Sequence, residues 1–197
     1  DETLFLDEHG KVEKWIEAVV GGPSPGLPGI LHSFASAHKR YGKLSWETLF
    51  QPAIALAEQG FVVSPRLHKL LAKELNPGVT KLPVIRDYFF PDGKPLAIGT
   101  VKKNPELAAL YKEIAKRGID AFYKGENAQQ LVHAVQNSIV APGTLRVEDL
   151  ANYQSKERAP VCVDYHQYEV CSMAPPSSGG VAVLQILALL EHKEMAK

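Results

Sequence analysis

The sequence has little cysteine, two residues in 197, and no net charge, its 22 Lys and Arg being matched by 22 Asp and Glu. Two cysteines cannot form the dense bridge framework that stands in for a core in small secreted scaffolds. With 45% hydrophobic residues the chain is instead able to bury a core, alone or as part of a larger one, which also excludes a disordered tail. A net charge of zero removes the sustained positive field that a phosphate backbone requires, so nucleic acid is not expected as a partner. The most apolar run, Val181 to Leu190, is about half of the roughly 20 residues that cross a bilayer, so no membrane span is expected, and no signal peptide is legible in these residues.

Catalytic signatures are equally sparse. His9, His32, His38, His68, His133, His166 and His192 form no His-Glu-x-x-His motif and no close pair with cysteine, so neither a metal nor a cofactor is expected. Gly-x-Ser-x-Gly and the Walker phosphate loop are both absent. Ser36-Ala-His-Lys39 matches Ser-x-x-Lys, but the Ser-Asp-Asn and Lys-Thr-Gly companions of a serine acyltransferase are missing, so it reads as an exposed helix face.

What is present is a helical pattern with one strand pair. Gly21 to Gly29 is turn-rich and leads into apolar Ile30, Leu31, Phe34, Ala35 and Ala37 at helical spacing, with Gly42 as a stop. Ser45 caps a second helix running to Gly60, in which Pro52 marks a kink or the true first turn. Ser64-Pro65 and Asn104-Pro105 start two more by the same logic, the latter ending near Gly118, and a further helix spans about Glu126 to Asn137. Four prolines between Asn76 and Thr100 predict extended, irregular surface. No linker divides the chain, and residues 1–197 are read as a single partial domain. Asp1 in place of Met, and a last helix without a capping glycine or proline, predict a piece of a longer polypeptide.

Val161 to Tyr165 and Tyr168 to Ser172 alternate with period two around His166-Gln167, a β-hairpin whose Val161, Val163, Tyr165, Tyr168, Val170 and Ser172 face is expected to be buried. A two-residue loop sets Cys162 opposite Cys171 at a non-hydrogen-bonded pair, with Cα atoms about 4.5 Å apart. A disulfide fits that geometry, and two small buried hydrophobes are the other reading. After the hairpin comes Pro175-Pro-Ser-Ser-Gly-Gly180 and an apolar helix. Ser178, Gly179 and Gly180 could aim backbone N–H groups at an anion, but no base adjoins a serine, so Ser177 or Ser178 is expected to cap the helix while the glycines let it pack closely in a core.

Pro25-Gly-Leu-Pro-Gly29, Tyr41-Gly-Lys-Leu-Ser-Trp46, Pro52 to Phe61, Ala121-Phe-Tyr-Lys-Gly125, Glu148 to Tyr153 and Pro175 to Gly180 together resemble the γ-glutamyltranspeptidase family, cephalosporin-acylase-like relatives included. The resemblance covers the chain from about Gly21 onward. It implies an α/β (α+β) fragment: the helix-rich part of an N-terminal-nucleophile hydrolase αββα sandwich, with one hairpin near residues 160–173. It also implies a precursor that cuts itself into two subunits, a new N-terminal threonine that attacks γ-glutamyl bonds such as that of glutathione, and an exported parent, periplasmic or extracellular. A Cys162 to Cys171 bridge suits that compartment.

In the family the nucleophilic threonine, the paired serines and glycines that bind substrate, and the acidic grip on the substrate amine belong to the small subunit. The arginine that holds the glutamyl carboxylate lies just before the point where this sequence begins. No catalytic residue is therefore assigned here. The prolines flanking Ser177, Ser178, Gly179 and Gly180 match a large-subunit motif, so this stretch is read as a structural corner on the pocket side. The expected partners are the small subunit of the same precursor and a γ-glutamyl substrate. As a fragment the chain should be inactive, expose apolar surface and self-associate; a helical binding module without the chemistry would instead be a monomer with a cooperative melt.

Overall fold

The computed structural model describes residues 3–7, 9–191 and 193, so the readings that touch Asp1, His192 and residues 194–197 lie outside the described residues. The chain divides into two compact units, residues 1–154 and 155–197.

The first unit is a set of helices whose starts follow from their caps. After α1 (Trp15–Ala18) come α2 (Ile30–Tyr41) and α3 (Trp46–Gln59). Ser45 Oγ accepts the Thr48 N–H at 3.3 Å, which satisfies one of the donors that the first turn of α3 leaves free. Pro52 sits in the interior of α3 and is not its first turn. A two-residue strand, β1 (Phe61–Val62), precedes α4 (Pro65–Ala72), which Ser64 caps through the Leu67 N–H at 3.2 Å.

The proline-rich stretch is helical, against the expectation of extended surface. Pro77 and Pro83 occupy the first turns of α5 (Pro77–Lys81) and α6 (Pro83–Phe89), and Pro91 opens a single 3₁₀ turn; the longest irregular run is residues 94–100. A first-turn N–H has no partner inside its helix, so proline loses nothing there, and its fixed φ favours the helical well. Asn76 Oδ1 completes the start of α5 by accepting the Gly78 N–H at 2.8 Å.

Strand β2 (Val101–Lys102) then pairs antiparallel with β1. Helix α7 (Pro105–Arg117), capped by Asn104 through the Leu107 N–H at 2.9 Å, packs on α3. Within this pair α3 buries Ile54 and Ala57, and α7 buries Ala108, Ile114 and Ala115. Trp46 Nε1 donates to the Ile114 carbonyl at 3.1 Å and fixes one end of the pair. Helices α8 (Asp120–Tyr123), α9 (Gly125–Gln136) and α10 (Val147–Ala151) complete the unit.

Tyr123, Ala128, Val132 and Leu150 form a buried cluster with Leu31 and Tyr153 packed against it. Here three sequence stretches meet: Pro25 to Gly29, Ala121 to Gly125, and Glu148 to Tyr153. The Tyr123 hydroxyl donates to the Pro28 carbonyl and accepts the His32 N–H at 3.3 Å, while the Tyr153 ring stacks on Tyr123 with centroids 5.9 Å apart. A Cβ on Gly29 would stand 2.1 Å from the Tyr153 hydroxyl oxygen, so only glycine lets that turn come so close.

The second unit is the hairpin of β3 (Val161–Tyr165) and β4 (Tyr168–Ser172) with helix α11 (Ser178–Leu190) packed on it. The turn residue His166 takes a left-handed φ of +52°, and its N–H donates to Glu191 Oε2 at 2.7 Å. The hairpin face expected to be buried is only half-buried: Val163, Tyr165, Val170 and Ser172 are partly covered, and Val161 and Tyr168 are exposed. One helix lies across two strands, too narrow a layer to enclose them. For the same reason α11 is not a core helix within this unit; it buries Gly180 and Leu184 and exposes Val183, Ile186 and Leu189. Cys162 and Cys171 are bonded to each other, with Cα atoms 4.1 Å apart, and neither is a buried hydrophobe.

Burial pushes the Tyr123 hydroxyl above its ordinary pKa, opposed by the His32 N–H. Since the folded value exceeds the unfolded one, the native state keeps a proton that the unfolded chain loses, and this contribution to stability is present below about pH 10 and lost as pH rises through the folded value. Tyr123→Phe leaves the Pro28 carbonyl and His32 N–H without their partner and should cost about 1–3 kcal/mol in urea melts at pH 7. Melts repeated above about pH 10 should show the gap between the two proteins narrowing.

Candidate functional site

Helix α11 starts within Pro175-Pro-Ser-Ser-Gly-Gly180. Ser177 holds the cap position with φ −72° and ψ 120°, but its side chain makes no capping hydrogen bond, contrary to the expectation that a serine hydroxyl caps this helix. The corner is fixed by backbone contact instead. A Cβ on Gly180 would lie 2.1 Å from the Met173 carbonyl oxygen, so the end of β4 folds directly onto the first turn of α11. Gly180 is buried by that contact, whereas Ser177, Ser178 and Gly179 are exposed.

A serine nucleophile needs a base within hydrogen-bond reach. Among the described residues neither Ser177 nor Ser178 is hydrogen-bonded to one. One ionisable pair of this unit, His166 and Glu191, lies at the far end of a 13-residue helix, about 20 Å away. The structure thus gathers Ser177, Ser178, Gly179 and Gly180 into one turn, and among the described residues no acid, base or charged group is bonded to the two serines. A helix start offers only unpaired N–H groups and a positive dipole end.

Cys162, Glu169 and Cys171 place two sulfurs and a carboxylate oxygen within 4.8 Å of one another, the one such cluster among the described residues. Both sulfurs are committed to the disulfide and hold no metal in that form. Ser36 and Lys39 are exposed on α2. Sequence reasoning missed a groove of about 880 Å³ between α2, α3 and α7, lined by Leu31, Phe34, Tyr41, Trp46, Phe50 and Tyr111. Its signal in the sequence is the set of aromatic residues spread over the faces of these helices, Phe34, Tyr41, Trp46, Phe50 and Tyr111. The groove offers apolar area and open access; its His38 ring is tied to the Leu44 carbonyl at 2.8 Å.

The family model of gamma-glutamyltranspeptidase matches residues 1–197. The glutathione hydrolase proenzyme of Bacillus subtilis (strain 168) is 36% identical over 196 residues, 98% of this chain and 32% of that protein. Helicobacter pylori gamma-glutamyltranspeptidase superposes with a TM-score of 0.90 at 31% identity, covering 100% of this chain and 55% of that one. Cephalosporin acylase from Bacillus halodurans follows with a TM-score of 0.76 at 30% identity, covering 86% of this chain and 32% of that one. The helix-rich α/β architecture with small antiparallel sheets is theirs too. The chain spans about a third of the length of the curated relatives it matches.

The two glycines at the start of α11 should respond oppositely to alanine. Gly180→Ala drives a Cβ into the Met173 backbone and should lower stability by about 1–3 kcal/mol. Gly179→Ala meets nothing nearer than 4.0 Å and should raise it by about 0.5–1 kcal/mol, since alanine restricts the unfolded chain. Urea melts of the two variants check both signs.

Proposed function

Because the chain belongs to the γ-glutamyltranspeptidase family, we propose that it is a large-subunit segment of an enzyme that cleaves γ-glutamyl bonds, glutathione's among them, and passes the acyl group to water or to an amine. The observation that carries this reading is the family match over residues 1–197, combined with serines at the start of α11 that are bonded to no base among the described residues. In the proposed mechanism a threonine outside residues 1–197, freed by self-cleavage of a precursor, attacks the γ-carbonyl carbon. Its own α-amine takes the hydroxyl proton and hands it to the leaving amine. An arginine, also outside these residues, holds the glutamyl carboxylate. The role of residues 1–197 is scaffolding, and both compact units are parts of one partial domain.

The partner in this reading is the small subunit of the same precursor. Support comes from the apolar surface that the chain leaves bare: Val183, Ile186 and Leu189 line one exposed side of α11, with Leu189 72% exposed. An unpartnered stripe of that kind favours self-association when the chain is alone. No helix among the described residues is long and apolar enough to cross a membrane. A periplasmic or extracellular site for the parent fits the Cys162–Cys171 bridge, which persists in oxidising compartments. The likeness to the Bacillus halodurans cephalosporin acylase supports a second reading, in which the scaffold is kept and the acyl group is a cephalosporin-type side chain.

Residues 1–197 alone should release no aniline from a γ-glutamyl anilide above a buffer blank, and Ser177→Ala and Ser178→Ala should change nothing. The longer protein, carrying its threonine, should turn the anilide over and prefer it to a cephalosporin side-chain amide. Turnover by the isolated residues would overturn the scaffolding role, and its loss in Ser177→Ala would point to a serine nucleophile. A concentration-independent monomer with a cooperative melt would favour a non-catalytic binding module.

A further inference from the structure

The outer face of the hairpin carries a bond and two charges that the proposed acyl chemistry does not use. Side chains alternate along a strand, so Cys162 and Asp164 of β3 share a face with Glu169 and Cys171 of β4, opposite the half-buried Val163, Tyr165 and Val170. The register sets Cys162 across from Cys171 and Asp164 across from Glu169. Asp164, Glu169 and Cys171 are exposed, and Cys162 is at least partly exposed. A carboxylate oxygen of Glu169 lies within 4.8 Å of both sulfurs. Among the described residues neither Asp164 nor Glu169 makes an ion pair. Like charges directly opposite one another weaken a strand pair, so this face keeps an uncompensated negative field beside an accessible disulfide.

We infer that Cys162–Cys171 is a thiol-exchange site that discriminates by charge, opening to small cationic thiols and resisting anionic ones. In the first step a thiolate forms a bond to one cysteine sulfur while the other leaves with the electron pair of the broken bond. A second thiolate then attacks the mixed disulfide and releases the small-molecule disulfide, and both cysteines, taking protons from water, end as thiols. The small thiol is oxidised and the protein bridge reduced. Negative charge rests on sulfur throughout, so a fixed carboxylate nearby opposes the step, and an ammonium group on the attacking thiol offsets it. One unit charge at about 5 Å in water changes such a rate roughly fourfold, so cationic and anionic thiols should differ by roughly tenfold at low salt. At about 1 M salt, where charges are screened within roughly 3 Å, most of that difference should vanish. This inference goes beyond the γ-glutamyl reading and stands apart from it, since it needs only the hairpin.

The test is the second-order rate of bridge opening in the full chain by cysteamine, 2-mercaptoethanol and mercaptoacetate. Each rate is corrected for thiolate fraction and divided by the rate of the same thiol on a small neutral disulfide. The expected order is cysteamine, then mercaptoethanol, then mercaptoacetate. The spread should shrink several-fold in high salt and in the Asp164→Asn, Glu169→Gln double variant. Equal corrected rates at low salt, a spread that survives both salt and the double variant, or a bridge that opens only after unfolding would each overturn the inference. The salt series needs no variant and decides the matter if the double variant fails to fold.

Discussion

The Tyr123 hydroxyl ties together chain segments that are far apart in sequence. It stands between the Pro28 carbonyl and the His32 N–H, so the turn before α2 and the first turn of α2 are both referenced to α8. Tyr153, arriving from the end of α10, stacks on the same ring and closes the space over Gly29. Without the hydroxyl the turn before α2 and the first turn of α2 each lose a bond to α8, while the ring alone would keep its stacking with Tyr153. A buried hydroxyl with both roles filled gives direction that apolar packing alone lacks, because a donor and an acceptor each accept only a narrow range of approach.

Much of the first unit was legible because caps act locally. Ser45, Ser64 and Asn104 each satisfy an N–H three residues on, a requirement set by the helix start alone and therefore readable from a few adjacent letters. Asn76 followed by Pro77 is an equally local cap, reaching the N–H two residues on, and was overlooked under the weight of four prolines, which suggest irregular chain when counted and helix starts when placed. The hairpin, its register and the apposition of Cys162 with Cys171 were equally local, fixed by a two-residue loop and a period of two.

What could not be read is what depends on partners distant in the chain. The Tyr123 to Pro28 bond spans 95 positions, and nothing near either residue announces it. Burial on the hairpin and on α11 was overestimated because alternation reports which face is apolar, not how many layers cover it. The Ser177 to Gly180 turn was placed correctly at a strand-to-helix corner, but the agent that holds it is the Met173 backbone, not a serine hydroxyl. Side-chain chemistry attracts attention in a sequence; a close approach between main chains leaves only a glycine behind as its trace.

The second unit fastens its helix to its hairpin at two places, Met173 against Gly180 at one end and His166 to Glu191 at the other. Helix α11 has 13 residues and each strand five, so a rod of about 20 Å spans a ribbon of about 17 Å. The two lengths are therefore gauged to one another. A single residue inserted in the helix advances its far end by about 1.5 Å and turns it through about 100°, which swings the Glu191 carboxylate off the hairpin tip while the near end stays seated. Strand and helix in this unit consequently cannot gain or lose residues independently. Length variation has to be absorbed elsewhere, in the Met173 to Ser177 corner or in the chain leading into β3.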